Sequence, residues 1–308
     1  VNLNYFYNRT TGIPVLLYSQ YPSWFSTGWP NSSFIPYVNN NEDRRSGWDF
    51  VVNYNQKIGK VDFTLGVTGN ILSTEAIKRD ENYEDAYQSR IGKPLDGIWG
   101  LVSDGLYHCQ EDIDRAPATS SFGEVKPGDI RYVDQNGDGV IDSKDEVYLG
   151  HAGWGGAPFS YGINITAKWK GWTLFLRGTG STGTYGMKDS SYYWVYGDRK
   201  YSEEVVNRWT FETARTATYP RLTTQSGTNN FRSSDFWLYK ANRFDLAKVQ
   251  LTYDLPTRYL GHTWVRALKV YVSGDNLLTF SGERKLMEMN IGVTPQCRYF
   301  NLGAKIQF

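Results

Sequence analysis

Phe300, Leu302, Ala304, Ile306 and Phe308 alternate with Asn301, Gly303, Lys305 and Gln307 at the end of this chain. A two-residue period describes a β-strand with one apolar and one polar face, because successive side chains leave a pleated backbone on opposite sides. The pattern recurs in seven segments upstream. Repeated strands of this kind predict an all-β fold, a transmembrane antiparallel β-barrel with lipid outside and water or a plug inside.

The first segment is Val1–Tyr7. In the second, Trp48, Phe50, Val52 and Tyr54 oppose Asp49, Asn53 and Asn55, and in the third Val61, Phe63, Leu65, Val67 and Ile71 oppose Asp62, Thr64, Thr68 and Asn70. The fourth runs from Phe159 to Trp169 and the fifth from Trp172 to Arg177. The sixth is Ala247–Asp254, the seventh Leu268–Asp275, and the eighth is the C-terminal strand. Leu65, Ile163, Leu251 and Leu302 are expected on the lipid face, and Thr166 on the lumen face.

Links between these segments alternate in length. Lys57–Lys60 and Lys170–Gly171 are short and Leu255–Ala267 is moderate, whereas Asn8–Gly47, Leu72–Pro158, Gly178–Leu246 and Asn276–Tyr299 are long. Outer-membrane barrels pair short periplasmic turns with long extracellular loops. The eighth strand is therefore expected to run inward to a periplasmic C-terminus, with Asp43, Asp112, Asp189 and Glu283 outside and Gly59 and Gly171 at periplasmic turns. A soluble β-sandwich alternates in the same way, but its connections do not reach this length.

Net charge is +1, so bulk electrostatics give no case for nucleic acid. Aromatic residues make up 16% of the chain at a mean hydropathy of −0.52. No apolar run approaches the ~20 residues of a membrane helix. The chain opens within an alternating stretch and carries no export signal, so it reads as a piece of a longer polypeptide. Cys109 and Cys297 fall in loops and read as two unpaired thiols, with one disulfide as the alternative.

The sharpest chemical motif lies in the long 75–157 loop, at 134–145. Asp134, Asn136, Asp138, Asp142 and Asp145 occupy positions one, three, five, nine and twelve of a calcium-type loop, with Gly139 at the sharp turn and the Val140 carbonyl at position seven. Hard oxygen donors suit Ca²⁺. The departure is Asp145, where Glu is usual. The simpler reading is a turn rich in Asx and glycine that holds no ion. A structural Ca²⁺ would order a loop that the sequence suggests has too few apolar groups to order itself.

The run from Gly128 through Asp142 resembles the hallmark loop of SusC/RagA-type TonB-dependent outer-membrane transporters of Bacteroidetes. The stretches Tyr219–Leu222, Ser234–Trp237, Val249–Pro256, Leu268–Leu278 and Gly303–Phe308 resemble the same family. Asp245 and Ala247 depart from its usual residues. The resemblance implies a 22-stranded barrel blocked by an N-terminal plug, of which this chain supplies about the last eight strands. It implies energy from the TonB complex, a SusD-type surface lipoprotein as lid, and import of glycans or peptides. A closed eight-stranded barrel, with Val1–Tyr7 paired to Phe300–Phe308, is the competing architecture. A structural or adhesive barrel without transport is the competing function.

Enzymatic chemistry finds little support. His108, His151 and His262 are scattered, and among the many loop acids Glu203–Glu204 or Asp112/Asp114 could mimic a glycosidase pair. Trp24, Trp29, Trp99, Trp154 and Trp194 lie in loops where a substrate or lid would meet the barrel, as do Tyr192, Tyr193 and Tyr196. Flat rings suit sugar faces and protein interfaces alike. Packing of the loops on one another is the plainer role for any one of them.

Overall fold

The structure, a computed structural model, describes residues 1–22, 25, 35–225, 229–261, 264–291 and 293–308. Eight long strands form one sheet: β1 (Asn2–Leu16), β2 (Tyr37–Ile58), β3 (Val61–Lys78), β4 (Phe159–Trp169), β5 (Trp172–Thr182), β6 (Arg243–Asp254), β7 (Ala267–Phe280) and β8 (Tyr299–Gln307). They pair antiparallel in chain order, with β1 and β8 at opposite edges. The pairing of β1 with β8 that a closed small barrel requires is not made among the described residues.

Register puts apolar side chains in rows. Tyr54, Leu65, Ile165, Leu176 and Val249 stand opposite one another in turn from β2 to β6. A second row runs Ala167, Leu174, Leu251, Val272 and Leu302 from β4 to β8. Asn53, Gly66, Asn164, Arg177, Lys248 and Asp275 form a corresponding row on the other face. Leu302 is 81% exposed. A row of large apolar side chains turned to solvent in this way calls for an apolar medium around it.

Aromatic rings border the apolar face at both ends. Trp169, Trp172 and Tyr253 are register neighbours beside the short turns, with the Trp172 and Tyr253 rings 4.6 Å apart. Towards the long loops, the Tyr161 ring stacks with Phe159 at 5.3 Å and with Phe244 at 6.0 Å. From Tyr161 to Trp169 the strand rises roughly 26 Å, close to the apolar band of an outer-membrane barrel. Close ring packing also explains a glycine: a Cβ at Gly180 would lie 2.3 Å from the Tyr161 ring.

Several strands run further than their alternation indicates. β2 has 22 residues, where about 9–11 cross a bilayer. The extensions of β1, β2, β3, β6 and β7 all lie on the long-loop side. Asp43 therefore sits in β2, paired to β1 and β3, and not in a loop. Here Arg9 pairs with Glu42, Arg44 with Glu75, and Arg79 with Asp43 at 2.6 Å. Water wets both faces of these extensions, so the two-residue signal fades. Bulges at Arg177/Gly178 and Leu246/Lys248 reset the pattern, leaving Leu246 and Phe244 in the apolar rows and Asp245 and Arg243 on the polar face.

Above the sheet, the loops 79–158 and 183–242 pack into one body. Their core includes Leu101, Ile130, Tyr132, Tyr219, Phe231 and Trp237, all buried. This corrects the expectation that the long loop lacks apolar groups to order itself: it borrows them from the second loop.

Candidate functional site

The loop body is built by the stretches that carry the resemblance. Asp129, fully buried, accepts from the Asn230 amide at 2.7 Å, pairs with the Arg221 guanidinium at 2.7 Å, and caps the Lys126 N–H at 2.8 Å. Asn230 in turn accepts from the Ile130 N–H at 2.8 Å, and its carbonyl takes the Trp237 indole N–H at 2.8 Å. The hydroxyl of Tyr219 donates to the Tyr193 carbonyl at 2.6 Å and accepts from the Val195 N–H at 3.1 Å. Burial pushes its phenol up to about 12, and that of Tyr193 likewise to about 12. These polar groups sit among apolar neighbours, where every bond left unmade costs more than it would in water.

The 134–145 loop folds as a ladder of side chain-to-amide bonds. Asp134 accepts from Gly137 and Gly139 N–H at 2.7 and 2.9 Å, Asn136 from Asp138 N–H at 3.0 Å, and Asp138 from Val140 N–H at 2.8 Å. Asp142 caps Lys144 N–H at 2.7 Å. Asp145 is buried and accepts from Gln135 and Asp142 N–H at 2.7 and 2.8 Å. The donor chemistry fits a hard cation. Among the described residues, however, no group of three or more His, Cys, Asp or Glu side chains is gathered to hold one. As folded here, the loop is held by its own amides.

The aromatic candidates separate. Trp154 is 73% exposed. Trp99 lines a cleft of about 480 Å³ with Tyr83, Arg90 and Glu146, and the Arg90 guanidinium lies 5.1 Å over its ring. Trp194 packs on Phe231 and Trp237 in the loop core, Tyr193 belongs to that core, and the Tyr196 ring lies 4.9 Å from Phe231. Trp24 and Trp29 lie outside the described residues.

The remaining polar candidates are tied into the structure. His108 Nδ1 lies 2.6 Å from the Ala214 carbonyl, and His151 Nδ1 lies 3.0 Å from buried Asp96; His262 lies outside the described residues. Glu203 bonds Lys285, Asp112 caps the His108 N–H, and Asp114 accepts from Gln110. Cys109 and Cys297 are exposed, free thiols.

On the polar face of the sheet, Lys248 pairs with Asp275 at 3.1 Å and Arg243 with Asp245 at 2.7 Å, and Thr279 donates to Asp245 at 2.6 Å. A second cleft, of about 420 Å³, opens beside Arg243 and Ser181, between the loop body and the short helix α1 (Arg284–Met289). Sequence reasoning did not find it. Its walls come from segments about 100 residues apart, and no motif links them.

No family model matches the chain. Over 199 residues it is 28% identical to TonB-dependent receptor P26 of Formosa agariphila, covering 63% of this chain and 19% of that protein. Over 236 residues it is 24% identical to TonB-dependent receptor P3 of the same organism, covering 71% and 23%. Its fold matches the RagAB peptide transporter at a TM-score of 0.65 and 17% identity, over 92% of this chain and 30% of that one. The RagAB peptide importer in its open-open state gives 0.66 and 16%, over 92% and 29%. These similarities support a fragment of a SusC/RagA-type TonB-dependent receptor. The chain spans about a fifth of the length of the curated receptors it matches. Within such a receptor, the apolar rows and their aromatic borders are the face an outer-membrane barrel turns to lipid.

Proposed function

We propose that the chain forms part of the barrel of an outer-membrane importer of oligomeric nutrients, glycans or peptides, powered through TonB and closed outside by a SusD-type surface lipoprotein. The observation that carries this reading is the two-faced sheet: apolar rows bordered by aromatics on one side, and an ion-paired polar face, suited to a wet lumen, on the other. In this arrangement the loop body lies at the extracellular mouth, where exposed Trp154 and the cleft beside Trp99 meet the lid or cargo. The remainder of the barrel, the plug and the TonB contact belong to parts of the receptor beyond these residues. Disrupting the receptor gene in its host should abolish energy-dependent uptake of either a peptide or a glycan mixture while leaving monomer uptake unchanged. Unchanged uptake of both mixtures would favour a structural or adhesive barrel instead.

The Asp134–Asp145 loop is proposed to take one Ca²⁺ through Asp134, Asn136, Asp138, the Val140 carbonyl, Asp142 and Asp145. Its amide bonds support this. A carboxylate offers about four lone-pair sites, and Asp134 commits two of them to amides, so the ladder shapes the loop and leaves acceptor capacity. The role would be structural.

A further inference from the structure

The second cleft joins two features that no sequence motif announces. Met187, Leu286, Met287 and Ile291 form an aliphatic and thioether wall, with Tyr193 and Tyr239 beside them. Two of the three methionines of the chain meet here, from loops about 100 residues apart. Methionine adapts its shape to varied apolar guests. Opposite lie Ser181 and Arg243, register partners at the long-loop end of the polar face.

The charges in the lining are unequal. Arg243 is committed to both oxygens of Asp245, at 2.7 and 2.9 Å. Asp189 is exposed and has no ion-pair or hydrogen-bond partner among the described residues. Burial raises the Tyr239 phenol, and the carboxylates of Glu283 and Asp189 raise it further, so both carboxylates act on a ring that lines the cleft. An occupant that completes this site brings an apolar group for the methionine wall and a cation for Asp189.

A sugar chain answers this poorly. It asks for flat aromatic faces and paired polar groups, whereas the apolar part of this wall is largely aliphatic. We infer that the cleft seats a segment of peptide cargo carrying an apolar side chain next to a cationic one, an assignment that rests on the import reading above.

The test uses the full receptor in detergent and two dye-labelled probes, acetyl-Ala-Leu-Lys-Leu-Ala-amide and the same peptide with Glu in place of Lys. The lysine probe should bind more tightly. Asp189→Asn, at an exposed position, should weaken it roughly fivefold, in line with one solvent-accessible charge pair, and leave the glutamate probe unmoved. Met187→Ala with Met287→Ala should weaken both probes. Equal binding of the two probes, an unchanged gap in Asp189→Asn, or displacement of the lysine probe by maltohexaose would overturn the assignment. Uptake in cells separates the two readings. A receptor that imports without charge discrimination loses the cleft and keeps import, while one that discriminates in detergent but is dispensable for uptake keeps the cleft and loses import.

Discussion

Asp129 is a buried carboxylate with three donors drawn from both long loops: the Lys126 amide, the Asn230 side chain and Arg221. Asp129→Asn keeps its volume but removes the charge that holds Arg221. The cost should be about 1.5–3 kcal/mol, the range for a hydrogen bond to a charged group, read as faster trypsin cleavage of the loops with unchanged heat-resistance of the barrel. The phenols of Tyr219 and Tyr193 give the same body a pH limit. Both are raised from 10.0 to about 12 by burial, so the fold favours their neutral forms. Their contribution is complete below about pH 10 and is lost as pH climbs through about 12. Protease protection of the loops should fall across that window, and one buried phenol fewer in Tyr219→Phe should change the profile. The calcium proposal is tested at Asp138. Millimolar Ca²⁺ should slow cleavage within 134–145 in the native receptor and not in Asp138→Ala, with assembly unaffected; equal protection in both would return the loop to a self-capped turn.

At the scale of strands, the bilayer decides which residues are interchangeable. Replacing Leu251 or Leu302 with Arg should cost about 2–4 kcal/mol near the midplane, against much less for Thr166→Arg on the polar face. Urea unfolding of the receptor in lipid reads the difference, and equal costs on both faces would mean that the alternation does not mark lipid exposure. These rows were legible in the sequence because lipid on one side and water on the other impose opposite demands on neighbouring residues. The fourth strand was read to its last residue, from Phe159 to Trp169. The extensions of β1 and β2 were not, since Asn39, Asn40, Asn41 and Glu42 are polar at consecutive positions. The bulge beside Ala247 was illegible for a different reason: it changes parity without changing composition. In the candidate site, the calcium-type spacing and the hallmark stretches could be read, being local. The loop core and the methionine cleft could not, because each is closed by contacts between segments about a hundred residues apart.

At the scale of the whole molecule, orientation follows from the asymmetry of the two ends of the sheet. One end carries the turns at Gly59 and Lys170–Gly171, and Gly59, Lys170 and Gly171 all have positive φ. The other end carries the charge-laced strand extensions and the two-loop body. A body with its own buried core is costly to pass through a barrel wall, so the loop end should face outward and the C-terminus the periplasm. The native thiols serve as reporters, because Cys109 and Cys297 are both exposed on the loop side. A membrane-impermeant maleimide should label the unmodified receptor on intact cells. With both cysteines replaced by Ser, Asp189→Cys should restore labelling on intact cells, whereas Gly171→Cys should label only after the outer membrane is opened. Gly171 has φ +85°, and a Cβ there would lie 3.0 Å from the Asp254 carbonyl. Gly59→Cys carries the same positive-φ strain, at φ +61°, but has open space around the Cβ position, so it is the companion variant should Gly171→Cys assemble poorly. Labelling of the turn variants and not of Asp189→Cys on intact cells would reverse the orientation, and would place both the methionine cleft and the Trp154 surface on the side away from any external cargo.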